Sequence, residues 1–159
     1  MRGIAGLAAT LALFVAGLRQ EFLCANIAEG VHGDGQITKK ADGAITTRYL
    51  LAKIGSDIDH VDLAGTADIP LGVITDESAA AEDLVNVSLF GSGQSTQKMI
   101  ASAAITAGDL VVSAASGKIR TLPGGAGTYY IIGRALNAAS ADGDVVEVTP
   151  SFPVQRVVV

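Results

Sequence analysis

The densest group of titratable side chains is Asp57, Asp59, His60 and Asp62, within the stretch GSDIDHVD. Carboxylates one residue apart on a strand share a face, so Asp57 and Asp59 have the spacing to hold a hard cation such as Ca²⁺. The alternating acids of a calcium loop, closed by a distal Glu, are missing here, and Asp and Ser are strong turn formers. A solvated hairpin turn is the simpler reading. His32 and Asp34, in VHGDG, have the types of a base and its orienting acid, but no activated nucleophile accompanies them. Ser92 and Ser95 lie in FGSGQST without the strand-to-helix elbow that exposes a nucleophilic serine. The same stretch lacks the Gly-Lys-Ser/Thr ending of a phosphate loop. Cys24 is the single cysteine, which excludes an intrachain disulfide and every multi-cysteine zinc site. Beside Phe22 and Leu23 it reads as a small apolar side chain. Catalytic, cofactor-binding and metal-ligating residues are therefore assigned to none of these positions, and no cofactor is expected.

Composition agrees with that reading. The 159 residues are 49% hydrophobic and 17% charged, the reverse of the balance that keeps a chain disordered. Aromatics are only 4%, so a core must be built from many small aliphatic contacts, and little material is left for stacking sugars. The net charge is −5 with no cluster of cations, which argues against a nucleic-acid partner. A scaffold or binding protein fits better than an enzyme with a small-molecule substrate.

The elements that would carry such a function begin with an unusual N-terminus. Residues 3–18, GIAGLAATLALFVAGL, carry no charge and lie between Arg2 and Arg19. Three readings compete. A signal peptide has this positive start and apolar length. Against it, Glu21 stands where a lipoprotein signal ending at Cys24 needs Leu, and a cut after Ala25 puts bulky Leu23 three residues before it. A membrane span needs about 20 apolar residues, more than this run supplies. The third reading is a docking helix, because Ile4, Leu7, Leu11, Phe14 and Leu18 recur at alternating steps of three and four. Such a stripe needs a cover, supplied either by a partner or by its own domain.

From about Gly30 the chain turns into short β-branched runs punctuated by Gly, Asp and Ser. Strands are expected over Ile45–Ile54, His60–Leu63, Leu71–Thr75, Leu84–Phe90, Leu110–Ser113, Ile119–Thr121, Tyr129–Leu136 and Val145–Thr149. Gly30–Gly43 reads as a loop joining arm to body. The fold class is mainly β, a small sandwich or barrel, with residues 1–29 as an apolar arm, helical on the stripe reading, and 30–159 as the β-rich domain. An internal repeat appears at a shift of 61 residues. Gly72 meets Gly133, Ala80 meets Ala141, Asp83 meets Asp144, Val85 meets Val146 and Val87 meets Val148. Leu50 and Leu51 fall on Val111 and Val112. Each half reads as strands registered by a small-residue turn, and two halves can pack around one core. The tail VQRVVV adds Val154, Val157, Val158 and Val159 as a strand-like apolar edge open to another chain.

The phrases PLGVITDESAAAEDLVNVSLFG (70–91), AITAGDLVVSAASGKIRTL (104–122) and IIGRALNAASADGDVVEV (131–148) resemble tailed-phage capsid decoration proteins, also called cement or head-stabilisation proteins. The resemblance covers roughly residues 30–150. It implies a β-rich virion structural protein on the outer capsid surface, commonly trimeric, that bridges major capsid subunits and stabilises the head. Partners are then the major capsid protein and further copies of the chain, with Ile4, Leu7, Leu11, Phe14, Leu18 and the four tail valines as interface residues. The competing class is a secreted or surface-anchored binding domain, adhesin-like or carbohydrate-binding, with residues 1–25 as its export signal.

Overall fold

The computed structural model describes residues 34–93 and 95–159. The arm, with Ile4, Leu7, Leu11, Phe14 and Leu18, lies outside the described residues. Strands β1 (Gln36–Ala41), β2 (Leu51–Ile54), β3 (His60–Leu63), β4 (Gly72–Ile74) and β5 (Leu84–Leu89) close into a barrel in the order β1–β3–β2–β4–β5. Strands β6 (Gln97–Ile100), β7 (Leu110–Ser113), β8 (Ile119–Thr121), β9 (Gly127–Ala135) and β10 (Val145–Val158) form a second sheet, ordered β6–β10–β9–β7–β8. A parallel bridge from Ala101 to Ile119 draws the two ends of that sheet together. The two circuits are the same: each strand of the second stands where the strand five earlier stands in the first. Even the parallel seam recurs, as Ala41 beside Val61 and Ala101 beside Ile119. The first half thus forms a closed barrel and the second a nearly closed one, rather than two halves of a shared barrel.

The alternation that marks half-buried strands is present where the sequence shows it. Val85 and Val87 are fully buried with Asn86 and Ser88 turned outward, and Val146 and Val148 are fully buried between exposed Val145 and Glu147. Full burial of a Val-sized side chain contributes about 1.5–3 kcal/mol, so these four positions help to fix the register of β5 and β10. Two apolar clusters result. One fills the first barrel with Ile37, Ala52, Val61, Ile74, Val85 and Val87. The other joins Met99, Val111, Ile119, Ile132 and Val146 of the second sheet to Leu51, Val73 and Phe90 of the first, and so holds the halves together.

The small-residue turns register the strands as the repeat implies. Asp83 Oδ2 accepts from the amides of Ala79 and Ala80, both at 2.9 Å, ahead of β5. Asp144 Oδ2 accepts from Ser140 at 2.7 Å and Ala141 at 3.0 Å ahead of β10. Those amide bonds hold the Asp144 carboxyl below its ordinary range. Next to each aspartate the backbone is left-handed, at Glu82 (φ 69°) and Gly143 (φ 91°). The second barrel uses the residue that adopts this region freely, and the first holds a glutamate there.

Four expectations change. Gln36–Ala41 is β1 rather than loop, paired along its length with β5. Its two lysines hide a true alternation, since Ile37, Lys39 and Ala41 point inward. Gln97–Ile100 is a further strand, β6, paired with the start of β10. The long run Ile45–Ile54 narrows to Leu51–Ile54, because Tyr49 turns the chain at φ 69° and Ile45 makes only an isolated bridge to Ser78. The offset shifts there too. Leu51 pairs with Val73 as Leu110 pairs with Arg134, so Leu51 corresponds to Leu110 and not to Val112.

Candidate interaction surface

The GSDIDHVD cluster forms the β2–β3 hairpin turn. Asp57 Oδ1 accepts from the Asp59 amide at 2.8 Å, as a turn-forming aspartate does. The same oxygen lies 2.6 Å from His60 Nδ1, and Glu82 Oε1 lies 2.9 Å from His60 Nε2. Glu82 Oε2 accepts from Lys40 Nζ at 2.7 Å. The hydrogen bond to Asp57, then that to Glu82, raises the His60 pKa above 6.5. Asp57 is lowered chiefly by His60, and Glu82 by Lys40 and then His60. Lys40 and His60 are register partners on β1 and β3, so this chain of pairs clamps the parallel seam that closes the first barrel. Asp62 faces elsewhere, with its Oδ2 3.9 Å from Lys53 Nζ. Among the described residues no three His, Cys, Asp or Glu side chains converge as a metal site. Ser92 Oγ donates to the Leu89 carbonyl at 3.1 Å and closes a turn. His32 and Cys24 lie outside the described residues.

The apolar tail is a strand, as its composition suggests, but one edge is already used. Val154–Val158 pairs with Gly127–Ile131, continuing β9 and β10 as a two-stranded ribbon beyond the part of β10 that pairs with β6. Arg156 sits opposite Tyr129, and Arg120 lies 5.8 Å from the centre of the Tyr129 ring. Among the described residues the outer edge of Val154–Val158 has no strand beside it. Val154 and Val157 are 57% and 59% exposed, Val159 is fully exposed and Val158 is half-buried. Alternation along the strand puts Val154 and Val157 on opposite faces.

A second apolar surface escapes sequence reasoning. β10 continues through Pro150 and Pro153 instead of stopping, and its register slips between Pro150 and Val154. That bulge carries Phe152, which is 71% exposed, over Gly91. A Cβ at Gly91 would come within 3.2 Å of the Phe152 ring, so glycine leaves the ring its place, at φ 77°. Phe152, Ile54, Ile69, Pro70, Leu71 and Phe90 line a groove of about 480 Å³ that is almost wholly apolar. The only available signal is a Phe between two prolines, which by itself reads as the end of a strand.

What the described residues offer at these two surfaces is apolar relief. The N base of head fiber gp8.5 of bacteriophage phi29 has a similar structure, with a TM-score of 0.57 and 22% identity over 74% of this chain and 94% of that one. At that identity the likeness is one of fold. No curated protein matches the chain. The family model for phage cement protein matches residues 31–150, which takes in both barrels, and the chain belongs to the phage cement protein family.

Proposed function

We propose that the protein is a virion structural protein that sits on the outer surface of a capsid as a homotrimer and stabilises the head by bridging major capsid subunits. Membership of the cement protein family carries this reading. The description of the phi29 relative as the base of a head fiber supports a place on the head. The surfaces suit the role. Such a protein works through interfaces alone, and the exposed side chains at the groove and ribbon are apolar where a soluble monomer would normally keep them covered. The ribbon valines and the arm residues Ile4, Leu7, Leu11, Phe14 and Leu18 are the proposed contacts, and no catalytic step is involved.

Binding to purified, undecorated heads tests the proposal. The protein is mixed with expanded heads, unbound chain is removed by sedimentation, and the heads are imaged by electron cryomicroscopy. Density bridging neighbouring major capsid subunits is expected on the outer face. Replacing Leu11 and Phe14 together with Asp is expected to abolish binding while the barrels stay folded. Wild-type occupancy by that double variant would show that the arm is not the anchor.

A further inference from the structure

The apolar groove lies beside the point where the described chain begins. The Gly35 carbonyl accepts from the Leu89 amide at 2.7 Å, and Leu89 lines the groove. Gly35 also packs so tightly on Ser92, at the groove's rim, that a Cβ there would fall 3.1 Å from the Ser92 Cβ. The described chain therefore begins at the mouth of this groove. The chain ahead contains the uncharged run 3–18, and among the described residues the groove wall has Ser92 as its one polar side chain. Sixteen residues, 19–34, separate the run from Gly35 and can span up to roughly 50 Å, ample length for the run to turn back. A tether this short holds the run at an effective concentration on the order of millimolar, above what a separate chain reaches in dilute solution.

We infer that in the free protein this groove is the seat of the chain's own N-terminal apolar run, residues 3–18. The groove covers the stripe of Ile4, Leu7, Leu11, Phe14 and Leu18 until a larger surface competes for it. The inference concerns the protein in solution and stands apart from the capsid reading.

Amide hydrogen exchange on the full-length chain, without capsids, tests it. Protection is expected within residues 3–18, and it should be lost when Ile69→Asp and Phe152→Asp are introduced together. Both residues are largely exposed, so the barrels should survive; protection of β5 and β9 in the same experiment verifies this. The native Cys24 thiol gives a second readout, since its alkylation should quicken in the double variant. An unprotected run in the wild type, or protection indifferent to both substitutions, would overturn the seat. Protection that falls on dilution would overturn it as well, by assigning the groove to a second copy.

Discussion

Lys39 and Met99 hold the same register position in the two barrels, opposite Val85 and Val146. Both are almost completely buried, and their unbranched stems are similar in length. The lysine ammonium escapes an apolar interior only by donating to the Ile58 carbonyl at the barrel end. Threading a lysine stem along the barrel to bring its ammonium to that carbonyl costs side-chain entropy and partial desolvation that a thioether does not. Lys39→Met should therefore keep the fold and raise stability, by about 1–2 kcal/mol in urea unfolding. A loss of that size would mean that the Ile58 bond outweighs the cost of burial. His60 supplies a pH-dependent counterpart. Its raised pKa gives stability that is complete below 6.5 and is lost as pH rises through the folded-state value. Asp57 and Glu82 are lowered from 3.8 and 4.5, so their share is present above those values and lost as pH falls through the depressed ones. The clamp is complete between 4.5 and 6.5. The gap in urea midpoint between wild type and His60→Asn should peak near about pH 5.5 and close on the alkaline side. A gap independent of pH would reduce His60 to packing.

The barrels depend on close strand approach at Gly72 and Gly133, which the 61-residue shift pairs in the sequence. A Cβ at Gly72 would strike the Ser88 carbonyl, and one at Gly133 would strike the Thr149 carbonyl. Backbone cannot step aside as a flexible side chain can. Gly72→Ala and Gly133→Ala should each destabilise by about 1–3 kcal/mol, read from thermal or urea unfolding. Unchanged midpoints would show that β4 and β9 can slide away from β5 and β10. These glycines, the turn aspartates Asp83 and Asp144, and the valine pairs were all readable, because each repeats a local rule: a tight approach, a capped turn, an inward face. β1 was not readable, since Lys39 points inward against its chemistry and breaks the pattern that Ile37 and Ala41 would otherwise show. The closing of the first half into its own barrel was hidden for a different reason. Closure rests on pairing β1 with β3 and β5, contacts distant in sequence that no local pattern records. The groove stayed hidden because a bulge at Pro150–Val154 brings Phe152 to residues some sixty to a hundred positions away.

Two joined barrels with an overhanging ribbon suggest how copies of the molecule would associate. The ribbon residues Val154 and Val157 stand on opposite faces, and among the described residues the outer edge of their strand has no strand beside it and adjoins an apolar surface. A neighbouring copy that adds to this edge would satisfy the backbone and cover the valines together. Each valine, once covered, contributes about 1.5–3 kcal/mol, so two per copy supply a substantial part of what holds a small trimer against its loss of rotational and translational freedom. Neither residue belongs to the cores, so charging them should spare the fold. On the proposed trimer, Val154→Asp with Val157→Asp should therefore yield a monomer in sedimentation velocity, with an unfolding midpoint close to that of the barrels alone. The Lys39→Met protein, changed only inside the first barrel, should sediment as the wild type does. If the doubly charged ribbon left the sedimentation coefficient unchanged, the ribbon would not be the self-association surface, and a trimer would have to be held by the barrel faces or the arm.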